Sequence, residues 1–194
     1  MLAKKLKNYN IILASGSPRR QSLLKDLDIN FSVKLKSIEE IYPDTLKAAE
    51  ITDYLAELKS KPYLEELSDN DILITSDTIV WLNNEALGKP KNYDEAFKML
   101  NSMSNTHHEV ITSVCICIGM KKKTIISDTV KVFFKELKEE EIDYYIKEYK
   151  PFDKAGAYGI QEWIGKIGID RIEGSYFTVM GFPVHKLYKE LEKL

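Results

Sequence analysis

Apolar positions along this chain switch repeatedly between a strand-like and a helix-like rhythm, and the switching predicts an α/β protein. Ile11-Ile12-Leu13-Ala14 is a continuous apolar run that reads as a buried strand, and Leu23, Leu24 and Leu27 then recur at helical spacing. Residues 31–35 predict a second strand, followed by a polar loop through Glu39 and Glu40. Ala48, Ile51, Leu55 and Leu58 mark one face of a helix. Residues 72–75 form a compact apolar strand ending at Ser76-Asp77-Thr78, with 79–82 as its continuation or the next strand, and Asn83-Asn84 as a turn. Asn92, with Glu95 three residues on, starts a helix whose inner face is Ala96, Met99, Leu100 and Met103. Residues 110–118 and 124–134 read as a hairpin joined by the charged turn 120–123. Ile142, Tyr145, Ile146 and Tyr149 stripe another helix, 153–160 is a glycine-containing loop, and a last helix begins at Gly181-Phe182-Pro183 with Val184, Leu187, Tyr188 and Leu191 on one side. The hairpin brings antiparallel pairing, so the expected sheet is mixed.

The segment Ser15-Gly16-Ser17-Pro18-Arg19-Arg20 stands at the first strand-to-helix junction. Ser17 suits the N-cap and Pro18 the first helical position, which puts both arginines in the first turn. Cations are disfavoured there, beside the positive end of the helix dipole and its free N–H groups. A bound anion reverses that penalty, so the junction reads either as a phosphate cradle or as an ordinary helix start with two solvated arginines.

The bulk numbers narrow the choice of partner. With 194 residues the chain holds one sizeable α/β domain or two small lobes sharing a core, and 44 % apolar with 30 % charged residues is a soluble globular balance. A net charge of −2 gives no overall field for nucleic acid or anionic membrane, so an anionic ligand needs a local basic cluster. No apolar stretch reaches membrane-spanning length, and residues 1–10 lack a signal peptide's apolar core, which points to the cytoplasm. Cys115 and Cys117 fit a reducing compartment; their spacing puts both thiols on one strand face, where buried packing outweighs a zinc site.

Asp77 closes an apolar strand, the place where α/β folds hold ligands, and a carboxylate there can bind Mg²⁺ or accept a proton from water. It can equally cap the following turn. Glu40 offers a second oxygen ligand from its polar loop, or is a plain surface glutamate. Lys59 lies at the border of an apolar helical stripe, Lys89 in the rigid turn Gly88-Lys89-Pro90, and Lys154 before a glycine stretch; with Arg19 and Arg20 they make a basic ring fit for a triphosphate. The P-loop, dinucleotide and serine-hydrolase signatures are absent. His107 and His108 point to opposite strand faces, which argues against a histidine metal site, and His108 reads as a residue that fixes a loop.

Several of these segments, in order, resemble the Maf family of nucleoside triphosphate pyrophosphatases. They are Leu13-Ala14-Ser15-Gly16-Ser17-Pro18-Arg19-Arg20, Ser76-Asp77-Thr78, Gly88-Lys89-Pro90, His108-Glu109-Val110-Ile111-Thr112, Asp153-Lys154-Ala155-Gly156-Ala157-Tyr158-Gly159-Ile160-Gln161, Ile172-Glu173-Gly174-Ser175-Tyr176 and Val179-Met180-Gly181-Phe182-Pro183. The resemblance spans the chain and implies one pyrophosphatase domain over residues 1–194. Its fold would be α/β with a mixed twisted sheet flanked by helices, two lobes around a cleft, related to inosine triphosphatase. It also implies hydrolysis of a nucleoside triphosphate to monophosphate and pyrophosphate with Mg²⁺ or Mn²⁺, and a homodimer, with no stable nucleic-acid or membrane partner. Asp77 matches the proton acceptor and Glu40 the acidic residue that helps with metal or water. Ser15, Ser17, Arg19, Arg20, Lys59, Thr78, Lys89, Lys154 and Gln161 match substrate-binding positions. Among them Arg19, Thr78 and Gln161 match the branch acting on dTTP and UTP. The alternatives are a pyrophosphatase for 7-methyl-GTP or another modified nucleotide, and a septum-formation regulator acting by binding. The chain departs from the family pattern at Ser76, a frequent alanine, at Asn105, where glycine is common, and at Glu162-Trp163, which replace a glycine-rich continuation.

Overall fold

In the computed structural model, which describes residues 2–194, strands and helices alternate as the apolar rhythm predicts. The strands are β1 (Asn10–Leu13), β2 (Ser32–Val33), β3 (Asp71–Leu82), β4 (Glu85–Leu87), β5 (His107–Ile118), β6 (Lys122–Phe134) and β7 (Ile169–Glu173). The helices are α1 (Leu2–Lys5), α2 (Pro18–Lys25), α3 (Ala49–Ser60), α4 (Tyr93–Met103), α5 (Glu139–Tyr149), α6 (Trp163–Gly168), α7 (Tyr176–Val179) and α8 (Val184–Leu191). Short 3₁₀ turns occupy Lys61–Glu66 and Ala155–Ala157. One seven-stranded sheet runs β2-β1-β3-β5-β6-β7, with β4 paired to β3. β1 pairs parallel with β2 and β3, while β3–β4 and β6–β7 are antiparallel, so the sheet is mixed as expected. No helix among the described residues is long and apolar enough to cross a membrane.

The contacts divide the chain into two compact units. The first holds the chain up to Asp77, Thr112–Asp128 and Gly181–Leu194. Its apolar centre includes Ile12 and Leu73 of the neighbouring strands β1 and β3, with Ala56, Tyr63, Leu67 and the two cysteines. Cys115 and Cys117 Sγ lie 3.7 Å apart and buried, the same-face packing that their alternation predicts. The second unit holds Thr78–Ile111 and Thr129–Met180. There Leu100 and Met103 of α4, Ile142, Tyr145 and Ile146 of α5, and Val132 and Phe134 of β6 share one core.

The sequence reading and the structure differ at the weakly patterned places. Only Ser32 and Val33 of the expected strand 31–35 pair with β1. Val33 and Leu35 are exposed, so this edge has little burial to extend it. The segments 72–75 and 79–82 belong to one strand, β3, so Asp77 lies within it rather than closing it. The Asn83-Asn84 turn has both residues at positive φ, 52° and 64°, a conformation asparagine tolerates and the one that folds a two-residue hairpin. That hairpin delivers the unforeseen β4. β5 begins at His107 rather than 110, and β6 at Lys122. The elements α1, α6, β7 and α7 had no sequence signal, because each spans six residues or fewer and shows no full helical or strand period.

Candidate functional site

The junction after β1 folds as its local chemistry dictates. Ser17 caps α2, its hydroxyl accepting from the Arg20 N–H at 3.4 Å, with Pro18 at the helix start. Ser15, almost fully buried, accepts from the Ser17 N–H at 3.3 Å through its hydroxyl. Arg20 turns its charge toward backbone carbonyls. Its Nε donates to the Gly181 carbonyl at 2.8 Å, and its Nη1 to the Ser76 carbonyl at 2.9 Å and to Ser15 Oγ at 3.5 Å. A planar fork on two carbonyl oxygens is a brace, tying α2 to the middle of β3 beside Asp77 and to the chain entering α8. Burial lowers the Arg20 pKa, the Asp77 carboxylate opposes that shift, and the neighbouring Arg19 charge adds to it. Arg19 itself is partly buried in the first turn of α2.

Asp77 is buried, its side chain 8 % exposed, and it does not cap a turn. Its Oδ1 lies 2.6 Å from Lys59 Nζ, in the last turn of α3, and Glu40 Oε1 lies 3.1 Å from the same nitrogen. A bond from Thr75 Oγ1 to the Ala56 carbonyl at 2.6 Å fixes the register of α3 on β3 that makes this meeting possible. One ammonium between two carboxylates leaves a local charge of minus one, next to the braced guanidinium. The two carboxylates converge on a single cationic point, although the Glu40 side chain is 47 % exposed. Among the described residues no group of three or more His, Cys, Asp or Glu could hold a metal. Two convergent carboxylates nevertheless suit Mg²⁺ or Mn²⁺, which keep several waters and complete their shell with substrate phosphates. Ser76, between Thr75 and Asp77, points a buried hydroxyl that has no hydrogen-bond partner.

The remaining predicted residues belong to the second unit. Thr78 follows Asp77 on β3 and is partly buried. Lys89 is exposed, in a turn tied to the glycine loop by the Gly156 N–H donating to the Gly88 carbonyl at 3.0 Å. Gly156 has φ +66°, and a Cβ there would lie 2.7 Å from Val80 Cγ2, so no other residue fits without displacement. Lys154 is buried, its Nζ 2.7 Å from Asp153 Oδ1 and 3.1 Å from Glu162 Oε1. Gln161 is partly buried beside Glu162. His108 does fix the glycine loop: its Nε2 lies 2.7 Å from the Tyr158 hydroxyl, and its ring stacks on Phe134.

The structure thus joins Ser15 with Arg20, joins Glu40 with Lys59 and Asp77, and links the loops of Lys89 and Lys154. Sequence reading missed three participants. The Gly181 carbonyl carries no side-chain signal. Tyr145 sits in the apolar stripe of α5, where a phenol is indistinguishable by pattern from any other core residue. Glu162 did carry a signal, as a charged residue in place of the glycine-rich continuation.

The family described as "Maf-like protein" matches residues 10–194. A protein of Flavobacterium johnsoniae named dTTP/UTP pyrophosphatase is 59 % identical over 194 residues, covering 100 % of both chains. A protein of Flavobacterium psychrophilum with the same name is 60 % identical over 189 residues, covering 97 % of this chain and 96 % of the relative. The solved structure of a HAM1 protein from Coxiella burnetii superposes with a TM-score of 0.54 at 15 % identity, covering 96 % of this chain and 100 % of that one, a likeness of fold.

Proposed function

The chain belongs to the Maf family, and on that premise we propose that it is a nucleoside triphosphate pyrophosphatase that cleaves dTTP and UTP between the α and β phosphates. The products are the monophosphate and pyrophosphate. Full-length relatives named for this activity support the substrate class. The observation that carries the chemistry is the convergence of Asp77 and Glu40 on the Lys59 ammonium.

In this reading Lys59 holds the two carboxylates in place until a triphosphate offers its ammonium a more highly charged partner. Asp77 is then released to accept a proton from the water that attacks the α-phosphorus. Glu40 and Asp77 would hold Mg²⁺ or Mn²⁺, which when bound supplies positive charge to the phosphate oxygens. Ser15, Ser17, Lys89 and Lys154 contribute phosphate contacts, each read from its own place in the fold. Arg20 acts as structural support, because its Nε and Nη1 already hold backbone carbonyls. Arg19, Thr78 and Gln161 read the base, since a guanidinium, a hydroxyl and a carboxamide complement the carbonyl and N–H edge of thymine or uracil. A cytoplasmic enzyme, folded as one domain and paired as a homodimer, completes the proposal.

The test is pyrophosphate release from dTTP, UTP and 7-methyl-GTP with Mg²⁺ or Mn²⁺, for the wild type and Asp77→Asn. The wild type should turn over dTTP and UTP in preference to 7-methyl-GTP. Asp77→Asn should still bind nucleotide but lose turnover by about a thousandfold or more. Near-wild-type turnover in that variant removes Asp77 as the proton acceptor.

A further inference from the structure

We propose that Tyr145 and Glu162 are positioning residues for base selection, acting through the turn that carries Gln161; this rests on the reading of Gln161 as a base contact. The turn runs from Gly159 to Glu162 and is closed by the Glu162 N–H donating to the Gly159 carbonyl at 3.0 Å. One phenol pins both of its ends. The Tyr145 hydroxyl accepts from the Gly159 N–H at 3.0 Å and donates to Glu162 Oε2. Its ring is fully buried in α5 and stacks on Tyr149 with centroids 5.1 Å apart, so the anchor belongs to the core rather than to the loop. Burial first, and the Glu162 carboxylate second, raise the Tyr145 pKa and keep its proton available for donation.

The turn is also tight. A Cβ on Gly159 would lie 2.9 Å from Glu162 Cδ and 3.1 Å from Gln161 Nε2. The Gln161 carboxamide and the clamped carboxylate therefore lie over the same glycine. The other Glu162 oxygen, Oε1, faces Lys154 at 3.1 Å, so the carboxylate is held from two sides.

Holding matters because a carboxamide is ambiguous. It donates through nitrogen and accepts through oxygen, and rotation by half a turn exchanges the two. A freely rotating glutamine satisfies the carbonyl of uracil and the amino group of cytosine equally well. Discrimination requires the amide to be fixed, and here the fixing runs from the phenol through the turn.

The test uses kcat and KM for UTP and CTP, which share their phosphates and differ at the base edge. Gln161→Ala should lower the UTP/CTP ratio of kcat/KM by about tenfold. Tyr145→Phe and Glu162→Ala should each lower the ratio about three- to tenfold. Glu162→Gln keeps an oxygen for the Tyr145 hydroxyl at the loss of the Lys154 contact, and should keep the ratio. Tyr145→Phe combined with Gln161→Ala should fall no further than Gln161→Ala alone. If Tyr145→Phe and Glu162→Ala slow both nucleotides equally, the clamp serves folding only and the proposal is overturned, while an altered ratio in Gln161→Ala leaves the base-contact reading intact. If Gln161→Ala leaves the ratio unchanged, that reading falls and the clamp falls with it. Should Tyr145→Phe fail to fold, the contrast between Glu162→Ala and Glu162→Gln decides alone: equal ratios in those two overturn the clamp.

Discussion

Replacing His108 with glutamine should flatten the acid dependence of the protein's stability. His108 is 1 % exposed, and only its Nε2 has a partner, the Tyr158 hydroxyl at 2.7 Å. Nδ1 is buried with none. An imidazolium would strand a charged donor there, and burial, with a smaller contribution from His107, lowers the pKa to about 3 from the ordinary 6.5. The unfolded chain titrates near the ordinary value and so takes up the proton first. The stability held by neutral His108 is therefore complete above about pH 6.5 and drains away as pH falls toward about 3. With those two values, His108 alone removes about 1.4 kcal/mol between about pH 7.5 and about pH 5.5. Urea denaturation of wild type and His108→Gln at both pH values isolates this share, since the other titrating groups are common to both proteins. The wild type should lose about 1.4 kcal/mol more than the variant. Equal losses, or a larger loss in the variant, would show that the folded protein accommodates the imidazolium, and the burial argument would be refuted.

Two further substitutions probe the frame around the site. Arg20→Lys replaces a fork on two carbonyls with a point donor, and should cost about 1–3 kcal/mol in denaturant unfolding together with a fall in kcat/KM; an indistinguishable lysine variant would mean the brace is idle. Gly156→Ala combines positive φ with a Cβ contact on Val80, so a loss of about 2–4 kcal/mol is expected in thermal unfolding, and a variant as stable as wild type would contradict the packing.

Local physics was legible in the sequence wherever a residue's partner lay close along the chain. Ser17 and Asn92 were readable as caps, and each accepts the backbone N–H three residues on. The thiols of Cys115 and Cys117 follow from strand alternation alone. The helices α3, α4, α5 and α8 were found because each shows a full apolar stripe. Elsewhere the determinants are distant. Asp77 could be proposed for chemistry, yet its pairing with Lys59 across 18 residues depends on how α3 seats against β3, which no local pattern encodes. The same holds for Tyr145, whose hydroxyl finds Gly159 across 14 residues from a position that looks merely apolar. The helix-dipole argument at Arg20 was sound as physics, since the positive charge did need compensation. The Ser76 and Gly181 carbonyls that meet part of that need lie too far along the chain for a local argument to name them.

The brace at Arg20 has a consequence for how the protein is made. One of its carbonyl partners, Gly181, is 161 residues away along the chain. During synthesis from the N-terminus, β1, α2 and β3 emerge long before that carbonyl exists. The guanidinium must wait, with one of its carbonyl partners not yet made, through the production of the whole second unit. The junction beside Asp77 is thus among the first parts translated and among the last to be locked. A nascent or truncated chain that stops short of Gly181 carries Asp77 beside a brace that lacks one of its two carbonyls, and in that form it should be conspicuously sensitive to proteolysis near residues 15–20.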